Sequence, residues 1–404
     1  MTNRQTAPGQ REFVPTNRSL ITEYIRLHQP VSRASIASTL GLSRAAVSSH
    51  IDSLIREGFV YERGLGQSTT QGGRRPIELF FNPKAAYAVG VDIGGTKTLL
   101  CISDLGGDIV YKKRFPTTAF SDPELFFRNL IQEIDSGISF CNIPKEALFG
   151  IGVAVPGVVH VQSGVVTHIP ALGWSNVNVK IILRSLFSGK IYVDNDVNAA
   201  ALGERWKGVA QGVDNLFMIT VGTGVGSAII AGGQLCRGRD GAAGEIGYFV
   251  ISDYESDESL ANDAFTFGSF ERITSGTGIA ERAKQVLRTS DRASIIRNLV
   301  NGQLSEVTAV HVFNAAKGGD ELAWDILELP LKHMAIGIAN VVSLLNPEVV
   351  IIGGGIAQSG EVYLQSIRNK VEKLTPIPVR IVPATLGNEA GAIGAIAGVL
   401  EYGE

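Results

Sequence analysis

The first 60 residues repeat apolar side chains at helical spacing in three successive segments. Apolar residues three or four positions apart line one face of a helix, so each segment predicts a helix that buries that face. Ser32 and Ser43 stand where their hydroxyls would cap the second and third helices, and Gly41 between them tolerates the backbone of a tight turn. The apolar sets are Leu20, Ile21, Tyr24 and Ile25 in the first helix, Ile36, Ala37 and Leu40 in the second, and Val47, Ile51, Leu54 and Ile55 in the third.

Two runs rich in β-branched and aromatic residues follow the third helix, at 59–61 and at 77–81. Such runs predict strands, and the polar loop between them contains the sequence Gly72-Gly73-Arg74-Arg75. Three helices followed by a two-stranded hairpin predict a winged helix-turn-helix domain over residues 1–82, with a boundary at Asn82-Pro83. The alternative is that the polar loop is only a linker.

The predicted third helix carries short side chains on the face opposite its apolar residues. Short side chains allow a helix to lie deep in the major groove of DNA, where an arginine reaches a phosphate or a guanine edge. Arginines in the glycine-rich loop would bind phosphate or enter the minor groove. The alternative is an ordinary solvated helix surface. The candidate DNA-binding residues are Arg33, Ser43, Arg44, Ala45, Ser48, Ser49, Arg74 and Arg75.

Charge is distributed unevenly along the 404 residues, although the net charge is only −3. Residues 1–82 contain ten arginines, no lysine and six acidic residues, a net charge of +4, which leaves −7 for the remainder. A small basic head (residues 1–82) on a larger acidic body (residues 83–404) is typical of a DNA-binding module fused to a second function. The length also predicts about two or three domains.

The three cysteines, Cys101, Cys141 and Cys236, are odd in number and far apart. This usage is typical of reduced cytosolic thiols and not of a disulfide framework. The first residues lack the apolar core of a signal peptide, and no run approaches the ~18 uncharged apolar residues of a membrane span. We therefore expect a cytoplasmic protein that does not contact a membrane.

Three glycine-rich turns in the body each follow an apolar run of strand type, at 88–92, 216–221 and 349–352. Backbone N–H groups of such turns can surround a phosphate, and Asp92 beside the first turn would hold Mg²⁺ through water. None of the turns opens a helix with Rossmann spacing, so we expect an α/β fold with a nucleotide cleft between two lobes. The candidate phosphate-loop residues are Asp92, Gly94, Gly95, Thr96, Lys97, Gly222, Thr223, Gly224, Gly354 and Gly355.

The segment 192–204 combines a strand that ends in Asp194-Asn195-Asp196 with a following helix of small residues. A carboxylate at a strand terminus beside phosphate loops suits a general base that removes a proton from a sugar hydroxyl. The alternative is a structural Asx turn, in which Asp196 caps the helix.

These motifs, in this order, resemble the ROK family of repressors, open reading frames and kinases, within the actin-like ATPase superfamily. The head resembles that of the family's repressors through residues 32–60 and the sequence GGRRP at 72–76. The motifs of the body that carry the resemblance are DIGGTK at 92–97, VPG at 155–157, LGW at 172–174, VDNDVNAAALGE at 193–204, GTGVGS at 222–227, GAAGEIGY at 241–248, NPEVVIIGGG at 346–355 and GAIGAIAG at 391–398.

The resemblance implies a first lobe over residues 83–205, completed by a C-terminal helix at 388–404, and a second lobe over residues 206–387. It also implies that Asp196 occupies the position of the catalytic base of ROK kinases. A sugar would then bind between the lobes. The residues implied to hold it are Gly157, Asn195, Asp196, Glu245, Tyr248 and Glu271.

Two departures from the family pattern change the expected chemistry. Many members bind structural zinc through a histidine at the position of Tyr248 and a cysteine cluster, but residues 257–270 contain no cysteine, and Ser269 stands where the last thiol would be. Zinc prefers thiolate and imidazole ligands, so we predict no zinc and no other structural metal. Ala171 stands where family kinases often carry a sugar-binding asparagine, which weakens the case for catalysis.

Together these features predict a sugar-responsive transcriptional regulator, a repressor of carbohydrate-use genes that a bound sugar or sugar phosphate releases from its operator. The opposite sign, in which the sugar strengthens DNA binding, stays open. Paired heads on a palindromic operator imply a homodimer or a dimer of dimers. No cofactor is required, although the phosphate loops are compatible with ATP and Mg²⁺. The alternatives are an ATP-dependent kinase of a hexose or N-acetylhexosamine, with or without DNA binding, and a sensor whose head binds a protein partner.

Overall fold

The computed structural model describes residues 16–65, 75–119, 122–169, 172–250, 268–355 and 360–404. The chain divides into two compact units. One contains the residues up to Tyr87 together with residues 104–108, and the other contains Ala88–Ser103 and Ile109–Glu404. The predicted boundary at Asn82-Pro83 therefore lies within the first unit, and Arg74 lies outside the described residues.

The head has the three helices and the antiparallel hairpin that its sequence predicts. Ser32 Oγ accepts a hydrogen bond from Ser35 N at the start of the second helix, and Ser43 Oγ accepts one from Ala46 N at the start of the third. Gly41 adopts a φ of 64° at the turn, in the left-handed region that glycine tolerates. The elements are α1 (Asn17–His28), α2 (Arg33–Leu40), α3 (Arg44–Arg56), β1 (Val60–Leu65) and β2 (Ile77–Phe81).

The core of the head lies where the apolar faces of the helices meet the hairpin. Leu20, one of the apolar residues predicted to face the core from α1, is 38% exposed, so fewer residues of α1 are buried than its apolar spacing predicts. Truncation of a fully buried side chain such as Ile51 to alanine would lower the free energy of unfolding by about 2–5 kcal/mol. The core residues, each at most 1% exposed, are Ile21, Ile25, Ile36, Val47, Ile51, Leu54, Val60 and Leu79.

A five-stranded sheet forms the first half of the body. Its strands, in order across the sheet, are β10 (Lys190–Asn195), β6 (Leu148–Val155), β3 (Tyr87–Ile93), β4 (Lys97–Asp104) and β5 (Ile109–Pro116). The β10 and β6 strands are parallel, whereas β4 and β5 are antiparallel. Its helices are α4 (Pro123–Phe140), α5 (Val179–Leu186) and α6 (Asp196–Trp206), and a small antiparallel sheet joins β7 (Val159–His160), β8 (Val165–Ile169) and β9 (Trp174–Asn178).

The second half of the body is built on another five-stranded sheet. In order across the sheet, its strands are β13 (Gln234–Leu235), β12 (Val225–Ala231), β11 (Leu216–Val221), β14 (Val349–Gly353) and β15 (Arg380–Pro383). The β11, β14 and β15 strands are parallel, and β12 runs antiparallel to its neighbours. Its described helices are α7 (Ser269–Thr274), α8 (Gly276–Thr289), α9 (Ile295–Leu299), α10 (Ala309–Lys317), α11 (Glu321–Leu345) and α12 (Glu361–Leu374).

The last helix, α13 (Ala390–Tyr402), lies so close to the first sheet that glycine is required at the contacts. A Cβ on Gly152 of β6 would lie 1.9 Å from the carbonyl oxygen of Ala395. A Cβ on Gly394 would lie 1.5 Å from the carbonyl oxygen of Ala199 in α6. The C-terminal helix is thus tied by backbone contact to β6, the neighbour of β10, and to α6, the helix that begins at Asp196.

The helix α11 is, among the described residues, the one helix long and apolar enough to cross a membrane, but 67% of its most apolar window is buried inside the protein. It is therefore packed as a core helix. Pro330 lies within it and cannot donate the helical hydrogen bond to the carbonyl of Ile326. Arg282 of α8 donates its Nε–H to that carbonyl at 3.1 Å, so a neighbouring helix replaces the missing bond.

Candidate functional site

The outer face of α3 carries the short side chains that its sequence predicts. Ser43, Arg44, Ala45 and Ser49 are exposed, and Ser48 is half-buried. Arg44 is the first residue of the helix, next to the capping Ser43. The N-terminal end of α3 therefore presents a cation, hydroxyls and backbone N–H groups to solvent, which is a combination that favours an anionic partner.

The described arginines of the head differ in whether an acid neutralises them. Arg18 of α1 pairs with a glutamate that follows α3, and Arg26 pairs with a glutamate of its own helix. These two guanidinium groups are compensated within the head. A second group is exposed, forms no ion pair within the part of the chain that the structure describes, and consists of Arg44, Arg56, Arg63 and Arg75.

Arg33, a predicted DNA contact, has a different position. Its guanidinium lies 2.8 Å from Asp52 and 3.0 Å from Glu62, and it donates to the carbonyl of Ser48 at 3.3 Å. These contacts join α2, α3 and β1. A guanidinium already bound by two carboxylates has less charge to offer DNA, and the direct contact of Arg33 stays a prediction. In the structure, Arg33 holds α3 against its neighbours.

In the body, β10 ends at Asn195 and α6 begins at Asp196. Asn195 Oδ1 accepts hydrogen bonds from Val197 N at 2.8 Å and Asn198 N at 3.2 Å, so Asn195 caps the helix. The alternative that assigned the cap to Asp196 was wrong by one residue. Asn195 Nδ2 also donates to the carbonyl of Gly157 at 3.0 Å, which brings two of the predicted sugar-site residues together.

Four carboxyl groups of the predicted site lie close enough to influence one another. Burial raises the pKa of Asp92, at the end of β3, to about 6. Burial, with the charges of Asp92 and Glu245 in addition, raises the pKa of Asp196 to about 7. Burial also raises the pKa values of Glu245 and Glu271, and the charge of Glu271 adds to the effect on Glu245. The site therefore has a carboxyl that exchanges a proton near neutral pH, as a general base requires.

A cavity of about 490 Å³ opens beside two of these carboxyls, Asp92 and Asp196. No lysine, arginine or histidine is among its lining residues. Gly391 is needed at its wall, because a Cβ there would lie 2.7 Å from the carboxyl of Asp92. Sequence reasoning missed the polar lining residues Thr220 and Asn388, although the Gly-Asn-Glu sequence before the last helix was a signal. The lining residues are Asp92, Asp196, Val197, Ala200, Met218, Thr220, Gly353, Gly354, Ala384, Gly387, Asn388, Ala390 and Gly391.

The turn that contains Gly222, Thr223 and Gly224 is anchored to the start of α8. Gly276 N donates to the carbonyl of Gly222 at 2.9 Å, and Thr277 Oγ1 donates to the carbonyl of Thr223 at 2.9 Å. A Cβ on Gly224 would lie 2.2 Å from the carboxyl oxygen Oε1 of Glu271. This turn therefore adjoins the acidic group.

The other two turns differ in exposure. Gly354, at a φ of 83°, lines the cavity, and both Gly354 and Gly355 are exposed. In the first turn Gly94 N donates to the carbonyl of Lys97 at 3.0 Å, which closes the loop between β3 and β4. Two side chains of this turn are exposed and two glycines are half-buried. In chain order these residues are Gly94, Gly95, Thr96 and Lys97.

Tyr248, a predicted sugar contact, has a side chain that is 54% exposed at the end of a short 3₁₀ turn. Ser269 Oγ donates to the carbonyl of Phe249 at 2.8 Å. Among the described residues no group of three or more metal-binding side chains comes together. Residues 251–267 and Ala171 lie outside the described residues, so the expectation of no zinc stays a prediction.

Comparison with known proteins gives concordant matches. A model of the ROK family matches residues 88–401. The xylose repressor of Caldicellulosiruptor bescii is 32% identical over 391 residues, 95% of each chain, and the glucokinase of Halalkalibacterium halodurans is 35% identical over 314 residues, 76% of this chain and 93% of its own. The crystal structure of a ROK family transcriptional regulator, a homologue of the E. coli MLC protein, has a TM-score of 0.81 and 22% identity over 94% of each chain. The similarity to the repressor thus includes the head.

Proposed function

Because the chain belongs to the ROK family, we propose that it is a cytoplasmic transcriptional repressor that a sugar releases from its operator. One observation carries the proposal: a recognition helix with uncompensated arginines and an acidic cleft of sugar-kinase type occur in the same chain. A kinase has no need of the first feature. The similarity to a xylose repressor over 95% of the chain supports this choice over a glucokinase, whose match covers 76%.

In this proposal α3 lies in the major groove. Ser43, Ala45 and Ser49 permit close approach of the helix, and Arg44 reaches a phosphate or a guanine edge. Arg75 binds the phosphate backbone from the hairpin. Two heads in a homodimer, or in a dimer of dimers, would read a palindromic operator.

The charge of the cleft favours a neutral sugar over a sugar phosphate. The cavity is lined by two acids and no basic residue, and Glu245 and Glu271 add two further acids to the cluster. A phosphate monoester carries about two negative charges, which these acids would repel, whereas sugar hydroxyls donate hydrogen bonds to the acids. The sugar weakens DNA binding only if it binds the released conformation more tightly than the DNA-bound one.

A second candidate is an ATP-dependent sugar kinase. The observation in its favour is Asp196, whose pKa of about 7 suits a general base for a sugar hydroxyl. Asp92 would then hold the magnesium ion that accompanies the nucleotide. The two functions predict different outcomes in one experiment, because a kinase releases ADP only when both substrates are present.

Fluorescence anisotropy of labelled DNA from the region upstream of the gene tests the proposal. We expect tight binding that weakens by orders of magnitude between about 50 and 200 mM salt. D-xylose or D-glucose should release the DNA, and D-glucose 6-phosphate should not. DNA binding that no sugar changes, or no DNA binding at all, would contradict the proposal. ADP release that Asp196→Asn abolishes would support the kinase.

A further inference from the structure

We propose that Arg237 is a positioning residue of the effector site, which fixes Glu245 relative to Asn195 and Asp196 without contacting the sugar. This inference rests on the proposed function of the cleft as a sugar site. Arg237 follows β13, is half-buried, and is not among the residues that line the cavity.

The side chain of Arg237 binds a buried carboxylate directly before the site. Asp194 is 1% exposed, and its Oδ2 accepts hydrogen bonds from Arg237 Nε at 2.8 Å and from the Tyr192 hydroxyl at 2.6 Å. Its Oδ1 accepts from Asn195 N at 2.7 Å and from Asn198 Nδ2 at 2.9 Å. Four donors thus compensate this buried charge, and one of them is the backbone N–H of the sugar-site residue Asn195.

The guanidinium of Arg237 is held in one geometry by two further contacts. Its Nη2 donates to the Tyr192 hydroxyl at 3.1 Å, and its Cζ lies 4.9 Å from the ring centroid of Tyr402 in α13. A planar fork that bonds two acceptors and stacks on an aromatic ring is a geometry that lysine cannot reproduce. Arg237 therefore contacts both the strand that leads to Asp196 and the helix that packs against that strand.

The backbone of Arg237 fixes the other side of the site. Its carbonyl accepts a hydrogen bond from Ala243 N at 3.0 Å and so closes the loop that leads to Glu245. The Ser227 hydroxyl of β12 donates to the carbonyl of Gly244. Glu245 follows immediately, so one residue anchors the Glu245 loop with its carbonyl and the Asn195–Asp196 corner with its side chain.

A matched pair of variants in this loop tests the proposal. Arg239 lies two residues later, and its side chain is 91% exposed and paired only with Asp240 among the described residues. Hydrogen–deuterium exchange is measured on the full-length, sugar-free protein. We expect Arg237→Met to speed exchange at residues 195–198 and at 238–245, and Arg239→Met to leave both segments at the wild-type rate.

Arg237→Met leaves the buried charge of Asp194 without its cation, which by itself destabilises the fold. A double variant, Asp194→Asn with Arg237→Met, is therefore measured as well, because it removes both charges. We expect this double variant to regain thermal stability but not sugar affinity. Calorimetric titration with D-xylose and D-glucose should show binding at least about tenfold weaker than wild type in both variants. Arg237→Lys should lie between them and wild type.

Two results would overturn the proposal: wild-type exchange in both segments of the double variant, or wild-type sugar affinity in that variant. If the proposed function itself is wrong, the result is different: the wild-type protein then binds neither sugar. The exchange comparison still decides in that case whether Arg237 fixes the two segments.

Discussion

In the head, charged side chains lie at the surface, where three arginines pair with acids and four others have no acid partner among the described residues. In the body, acids converge on a cavity whose lining includes no basic residue. The two regions thus leave opposite charges uncompensated. Uncompensated arginines suit a polyanion such as DNA, and converging carboxyls suit a neutral polyol that donates hydrogen bonds.

A second comparison, within the body, separates acids that the fold fully hydrogen-bonds from those of the candidate site. Glu204 is fully buried, and its carboxylate accepts hydrogen bonds from Val209 N, Thr385 N, Thr385 Oγ1 and Leu386 N. Asp196 accepts one from Val197 N at 3.0 Å and adjoins the cavity. A carboxylate whose acceptor sites are filled by the protein is part of the fold, whereas one with unfilled sites is available to a ligand.

The largest effect on DNA affinity is expected from removing an arginine that has no acid partner. Arg44→Ala removes an uncompensated cation from the start of α3, and we expect DNA affinity to fall roughly tenfold to 100-fold. Arg26→Ala is the control, since its guanidinium is already paired with Glu23. Anisotropy titrations measure both variants. Equal losses in the two would show that pairing within the head does not decide which arginine binds DNA.

The second prediction concerns stability against pH, which should distinguish Asp196 from the fully hydrogen-bonded Glu204. The pKa of folded Asp196, about 7, lies above that of an ordinary carboxyl, so the folded protein binds this proton more tightly than the unfolded chain. The free energy of unfolding therefore decreases as the pH rises from about 4 to about 7. The Asp196→Asn variant has no ionisable group at this position, so its free energy of unfolding does not decrease in this way.

We expect the Tm of Asp196→Asn to exceed that of wild type by roughly 2–4 °C at about pH 8, and the difference to vanish near pH 4. Thermal unfolding at a series of pH values measures it. Glu204→Gln serves as the contrast and should lower the Tm at neutral pH, because the carboxylate of Glu204 is fully hydrogen-bonded. A variant whose advantage grows as the pH falls would contradict the assignment.

The smallest effect is expected at Arg33, whose guanidinium is already paired with two acids. Arg33→Met removes a partly exposed ion-pair group, and such pairs contribute about 0–1 kcal/mol each to the free energy of unfolding. We expect faster amide exchange in α3 and β1 and a DNA affinity within about threefold of wild type. A loss of affinity as large as that of Arg44→Ala, at unchanged exchange rates, would show that Arg33 contacts DNA directly.

The head was predictable because its determinants are local. Helix spacing, two serine caps and Gly41 act within a few residues of one another, and each has the predicted conformation. The pairing of Arg33 was not predictable, because Glu62 is 29 residues away and reaches it only through the tertiary fold. Periodicity carries no information on such contacts.

The body shows the same limit. The strand, turn and helix around Asp196 follow from its sequence, but the choice of Asn195 as the cap depends on backbone direction at a single residue. The approach of Gly391 to Asp92 and the reach of Arg237 to Asp194 depend on packing between distant segments. A sequence motif identified the acids of the site, but only the packed structure shows what holds them in place.

The central claim is that the sugar cleft and the DNA-binding head are coupled. Coupling between two binding sites is reciprocal, so the factor by which sugar weakens DNA binding must equal the factor by which DNA weakens sugar binding. Calorimetric titration of D-xylose or D-glucose into the protein, free and saturated with operator DNA, measures the second factor. We expect sugar to bind the DNA complex more weakly, by the same factor that anisotropy gives for DNA release. Equal sugar affinity with and without DNA would contradict the account.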